Sequence, residues 1–411
     1  MRQNRILSVI IAVISVTAAV AQQTSSPYSR FGYGLLRDNA TSAQRQMGGI
    51  GYAMTSGRQI NAMNPASYSR IDSLTFLFDM GVDASFINSK EEGSSLSQKG
   101  GGLDYVTMQF PLSKRIGASV GLLPYSSVGY AFGSEIKNGT NSHQGSGGLN
   151  QLYVGLSGNI FKGFSAGFNF SYLFGNNIND IYAYTSTSST SLFEQEIEVR
   201  DWHFSAGLQY TLDINRDYTL GFGVVYTPGK DLLGNARVIK YDVTSNEKPD
   251  TVQSMRLRGN FSLPDTWGAG VNLRHGSRWM VEADVTYQPW SKVKFAKMAD
   301  FPATKFADRW KIGVGGEWRP KDRGNYFSLV TYRLGGYYNR DYMTVGSNNV
   351  REYGLSCGFG FPTMSTKTII NLGFEYKNRQ ATPNPLLQEK YFSITLGVNF
   401  NELWFFKRKI D

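Results

Sequence analysis

The chain has 411 residues, 42 Lys and Arg against 32 Asp and Glu, and a formal net charge of +10. A mean hydropathy of −0.30 excludes a helical membrane bundle, which needs repeated apolar runs of about 20 residues, while 24 Tyr, 26 Phe and 45 Gly exclude a disordered chain and point to many short strands and turns. The lone Cys357 excludes an internal disulfide framework, and His143, His203 and His275 lie too far apart for metal-ligand spacing.

In chain order, residues 1–21 come first as a secretory signal. Arg2 and Arg5 precede an apolar stretch from Ile6 to Val20, and Ala19-Val20-Ala21 offers the small residues of a cleavage site. Residues 22–73 show little period-two pattern. They carry Gly48 and Gly49, Arg58, and Asn64-Pro65-Ala66, where proline fixes φ and the Asn side chain can bond nearby backbone. That chemistry suits a compact hatch; an extended periplasmic arm is the plainer alternative.

From Leu74 onward the hydrophobic period is two. Fourteen runs are predicted, at about 74–87, 102–111, 115–132, 149–158, 163–175, 197–212, 217–227, 252–274, 279–290, 309–319, 326–338, 351–360, 367–377 and 390–400. Six of them carry aromatics eight residues apart on the apolar face: Trp202/Tyr210, Tyr218/Tyr226, Trp279/Tyr287, Trp310/Trp318, Tyr353/Phe361 and Phe392/Phe400. Eight residues of strand span roughly 26 Å. Tilted, that becomes roughly 20 Å, near the height between the two aromatic girdles of a membrane barrel. A soluble sandwich has no reason to repeat that height. Short turns alternate with long polar loops, and the even strand number leaves both barrel ends on the periplasmic side. The predicted fold is all-β: a 14-stranded antiparallel transmembrane β-barrel (74–400) in the bacterial outer membrane, its wide lumen plugged by the hatch.

Charges of both signs fall on the inward faces: Glu282 and Asp284, Lys311 and Glu317, and Arg333. Two readings stay open, a salt-bridge ladder that shapes the wall or a polar path for substrate. In the third run Pro124, with Gly121 and Gly129, interrupts the alternation and marks either a lateral gap or an ordinary bulge. Continuous pairing of the third with the fourth strand through Pro124 would reject the gap. After the last run a tail, 401–411, carries Trp404, Phe405, Phe406, Lys407, Arg408 and Lys409, a periplasmic dock or a lipid-interface anchor. If it docks, deleting 403–411 impairs assembly and spares any ligand binding. No Ser and His stand together on a lipid face, so no lipid hydrolase is expected, and no cofactor or metal.

Asn64-Pro65-Ala66 before the first strand, Leu263-Pro264-Asp265-Thr266 inside a long eighth run, Tyr287 with Trp290-Ser291 closing the ninth, and Asp308-Arg309-Trp310 opening the tenth resemble the FadL (OmpP1/FadL/TodX) family, in a variant of Bacteroidota type. The resemblance implies a 14-stranded channel with an N-terminal hatch, which passes hydrophobic small molecules (fatty-acid-like or aromatic) sideways into the membrane through a kinked third strand. It also implies an alternative: a non-transporting subunit or partner-docking barrel of an outer-membrane secretion or assembly complex, bound to an outer-membrane or periplasmic protein.

Overall fold

The computed structural model describes residues 26–91, 94–136, 139–185, 190–242, 248–299, 301, 304–363 and 368–403. The signal 1–21 and the tail from Trp404 through Lys409 to the end lie outside them.

Fourteen antiparallel walls close on themselves. They are β1 (Thr75–Glu91), β2 (Ser94–Pro111), β3 in two pieces (Ile116–Pro124 and Ser126–Ile136), β4 (Gly139–Phe161), β5 (Phe164–Thr185), β6 (Thr190–Asp213) and β7 (Tyr218–Thr227), followed by β8 (Thr266–His275), β9 (Trp279–Gln288), β10 (Arg309–Trp318), β11 (Thr331–Val345), β12 (Asn348–Pro362), β13 (Ile369–Thr382) and β14 (Gln388–Leu403). β1 pairs with β14 from Thr75↔Leu403 to Lys90↔Gln388, which closes the cylinder and leaves no free edge there.

The strands form because alternate residues meet two different media. On β10, Trp310, Ile312, Val314 and Trp318 are exposed on the outer face, while Arg309 and Lys311 are buried inside. Such an outward apolar surface is stable only in hydrocarbon. The aromatics at its rims pair across strands: Trp279 opposite Trp318, and Tyr287 opposite Trp310 with ring centroids 4.3 Å apart. Cys357 stands exposed on this face beside Leu355.

The ends of several runs differ from expectation. The eighth was predicted from 252; β8 starts at Thr266. Asp250–Arg256 instead pairs with Gly234–Asp242, and that hairpin extends the sheet from the outer half of β6. Leu257 and Phe261, which mimic a strand pattern, are fully buried in a core at the outer end. Pro264 therefore stands just before β8 rather than inside it, where its missing N–H would break the ladder. Asp265 accepts bonds from the Tyr226 hydroxyl (2.7 Å) and the Gly229 N–H (3.0 Å), tying down the loop. The eleventh run opens with a helical turn, Tyr326–Leu329, whose Asn325 side chain accepts from the Ser328 N–H, so β11 begins only at Thr331. The ninth stops at Gln288, two residues early. β14 runs past Phe400 to Leu403, so the tail begins three residues later than predicted. β4, β5 and β6, at 22 to 24 residues, rise well beyond the height of the girdles.

Candidate functional site

The lumen is the candidate site, and residues 26–71 occupy it. Ser26 lies toward the outer end: its N–H donates to the Gly129 carbonyl (2.6 Å) and its hydroxyl to Glu389 (2.7 Å). Leu35 and Leu36 pair antiparallel with Ser127 and Ser126 on the outer piece of β3, and the Arg37 N–H reaches the Tyr125 carbonyl (2.9 Å). Tyr28, Tyr33 and Leu35 are buried in one apolar core with Leu149, Ile197 and Tyr342. The Tyr33 hydroxyl donates to the Ser262 carbonyl (3.0 Å). Thus the outer half of the described lumen holds packed side chains.

Further down, the segment is polar and clamped. Asp38 accepts from Arg309 (3.2 Å) and from Lys311. Enclosure in the lumen works against ionisation of Asp38; Lys311 and Arg309 outweigh it and hold the carboxyl well below the usual carboxylate range. A single helical turn, Ser42–Arg45, follows, with the Thr41 N–H donating to the Gln44 side chain (2.9 Å) in a capping box. Arg45 bonds Asp104 of β2 at 2.7 Å. Gly48 and Gly49 both adopt left-handed φ, +78° and +71°, which L side chains disfavour. A Cβ on Gly48 would also meet the Gly336 carbonyl at 2.8 Å.

Several lumenal charges hold the segment, and others pair across the wall, Arg333 with Glu317 and Arg379 with Glu352 and Glu389. Asp284 accepts from the Gly51 and Tyr52 N–H groups (2.7 and 3.0 Å), and Glu282 from the Ala53 N–H (2.9 Å). Lys311 pairs with Asp38 of the segment, not with Glu282 or Asp284 across the wall. Arg333 combines both duties: it bonds Glu317 on the neighbouring strand (3.2 Å) and the Gln46 side chain of the segment (3.0 Å). Clamps on the segment thus stand beside ion pairs within the wall. Unpaired backbone N–H groups inside a barrel are costly, and wall carboxylates satisfy them.

Asn64 caps a six-residue 3-10 helix, Pro65–Arg70, by accepting from the Ala66 N–H (3.0 Å), and its amide N–H donates to the Tyr52 carbonyl (2.7 Å). Pro65 sits at the first helical position, where no N–H is needed, and Ala66 is fully buried. Sequence reasoning missed the wall glycines beneath this segment. A Cβ on Gly223 would lie 1.9 Å from the Tyr52 carbonyl oxygen, and one on Gly335 2.1 Å from the Met47 carbonyl carbon. Glycine on the inward face of a strand was the available signal, since it marks close approach of another backbone.

At β3, pairing with β4 runs through Pro124↔Asn150 and, after a bulge, resumes at Val128↔Gly147. That overturns the expected gap at this seam, for the ladder needs no N–H from Pro124 there. Gly121 lies within the paired stretch with β2, and Gly129 receives Ser26. The interruption falls on the other side: pairing of β2 with β3 ends at Val106↔Leu122, and residues 26–37 lie along the β3 edge that β2 leaves. His203 sits half-buried with its ring 6.3 Å from that of Tyr125, while the neighbouring Asp201 is taken by Lys230 (2.7 Å). Among the described residues no group of three His, Cys, Asp or Glu could hold a metal.

A closed 14-stranded cylinder with an apolar outer belt, aromatic rims and an occupied polar lumen defines an outer-membrane β-barrel of the FadL-type fold. Solved structures share it: a Pseudomonas aeruginosa FadL homologue (13% identity, TM-score 0.65, 89% of this chain and 99% of that one) and the P. putida toluene transporter TodX (15%, 0.61, 89% and 98%). A third is the Ralstonia pickettii toluene transporter TbuX (14%, 0.56, 88% and 97%). At such identity the likeness is one of fold. No curated protein matches the sequence. The chain belongs to the BamG family, whose model matches residues 2–411.

Proposed function

We propose that this protein is a closed, partner-docking barrel of the outer membrane, a structural subunit of a larger secretion or assembly complex. The observation that carries this reading is the occupied lumen. Residues 26–71 are bonded to the wall at points from Ser26 to Arg70, and the outer half is a packed core rather than an elongated apolar cavity. Of two inner cavities, one of about 90 Å3 is lined largely by charged groups such as Arg45, Lys311 and Glu352, and one of about 110 Å3 mixes Arg37, Asp38 and Gln151 with Met63, Val225 and Leu263. Both are small, and a greasy ligand there would strip water from ion pairs such as Asp38 with Arg309 and Arg379 with Glu352. Planar-bilayer recording on the purified full chain tests the reading. No steady conductance is expected, together with co-purification of a stoichiometric partner from membranes in mild detergent. A barrel that conducts, and purifies alone, sinks it.

One observation favours a second reading, transport of hydrophobic molecules with lateral exit. The β2–β3 ladder stops at Val106↔Leu122, and among the described residues the N-terminal segment pairs with the open edge of β3 there. Release of residues 26–37 would bare a route into the membrane beside Pro124, and TodX and TbuX are toluene transporters of this fold.

A further inference from the structure

The periplasmic mouth of the barrel holds a cavity of about 750 Å3, within the size range of ligand sites. Its walls come from the β8–β9 and β10–β11 connections, the ends of β12 and β13, and residues 56–59 of the N-terminal segment. The inner end is shut. Met280 on its floor packs against Met47, Ile50 and Met54, so the space is a socket and not a conduit.

Four arginines line it: Arg58, Arg274, Arg278 and Arg319. Asp72 pairs with Arg58 (3.4 Å) and Asp322 with Arg319 (3.8 Å), while Glu317 is taken by Arg333. Arg274 donates to the Thr55 carbonyl (2.6 Å). Among the described residues no carboxylate stands within ion-pair distance of Arg274 or Arg278, and guanidinium groups bind carboxylates in a two-pronged fashion. Positive charge continues around the rim. Lys114 and Arg115, Lys162, Arg216, Arg278, and Arg319 with Lys321 and Arg323 stand on five successive connections at this end, offset in part by Asp213, Asp217 and Asp322. Rim cations can serve lipid headgroups. Arg274 is placed otherwise, for it shares the inward face of β8 with the buried Asn272.

We propose that this mouth is a docking socket for an extended, carboxylate-rich segment of a periplasmic protein, its acids on Arg274 and Arg278 and one apolar side chain against Met280, Leu329 and Ile369. The proposal rests on the partner-docking reading and names the chemistry of one partner. The probe is a fluorescein-labelled decapeptide of Glu with one central Leu, titrated with the full-length barrel in neutral detergent and followed by anisotropy. Binding is expected to weaken with salt, to vanish for the Gln counterpart, and to drop at least about tenfold in the Arg274→Gln/Arg278→Gln double variant, through loss of charge-assisted bonds. Folding of that variant is read from its heat-modifiable gel mobility. Equal binding of the Gln peptide, or unchanged binding by the folded double variant, overturns the socket. So does complete displacement by phosphatidylglycerol bicelles at the peptide's own concentration, which would assign the arginines to lipid. A barrel that conducts and purifies alone overturns the partner-docking reading whatever the peptide does; a closed, co-purifying barrel that ignores the peptide overturns only the socket.

Discussion

At the scale of the residue, the lumen is governed by single carboxylates that satisfy backbone N–H groups of the segment passing through it. Asp284 serves two and Glu282 one, a role that depends on neighbours more than 200 residues away. Asp284→Ala orphans the Gly51 and Tyr52 donors, each costing roughly 1–3 kcal/mol. Faster proteolysis within residues 49–56 is the expected outcome, by limited digestion and mass spectrometry, with the wall intact. Asp38 makes a pH prediction. Its folded carboxyl titrates below the unfolded range, so its contribution is complete above that range (about pH 4) and declines only as acid drives the pH below it. Asp38→Asn should therefore loosen the outer half of the segment at pH 7 and narrow the difference from wild type as the pH approaches 2, in protection of its amides from hydrogen exchange. The carboxylates were legible as inward-facing residues because alternation fixes the face. Their partners were not, because nothing in a strand's period tells which lumenal backbone will lie against it.

At the scale of the element, the apolar belt is what the period-two runs reported, and only the belt. β2 was expected from residue 102 and begins at Ser94; its outer part, rich in Ser and Gly, forms a strand because β1 pairs with it and not because it alternates. The same logic explains β8: apolar residues at 257 and 261 fill the outer core, a demand that looks the same as lipid exposure in a one-dimensional pattern. Gly223→Leu puts a side chain where the Tyr52 carbonyl lies, so the wall can keep its pairing only if the segment moves out. Reduced recovery of folded barrel, or a Tm lower by several degrees, is the expected result by gel mobility and calorimetry. Proline 124 makes a milder test. Pro124→Ala restores a donor in a strand already paired on its β4 side, and a change within about 1 kcal/mol is expected in urea unfolding. A large loss would show that the proline shapes the seam with β2.

At the scale of the whole molecule, the barrel carries its own closure. The edge that β3 presents beyond Leu122 would be an exposed row of unpaired backbone groups, and residues 26–37 pair with part of it. Removing residues 26–49 is expected to give a cylinder that still inserts yet conducts in planar bilayers, at a level absent from the full chain. A deletion variant that inserts and stays closed would move the seal to the outer core of the loops. The two ends also differ in kind: packed and apolar toward the outside, open and arginine-lined toward the periplasm.

Alternation, girdle spacing and parity by themselves determined that this chain crosses a membrane as fourteen strands, because each lipid-facing residue answers to a solvent that every strand meets alike. A plug was expected from residues 22–73, but how it fills and grips the cylinder was decided only in three dimensions. The clamps on Gly51, Tyr52 and Ala53, the glycines under Met47 and Tyr52, and the strand laid along β3 each join residues far apart in sequence. Such contacts depend on how a wall folded from residues 75–403 curves around residues 26–71, a geometry set by closure and not written in any local period.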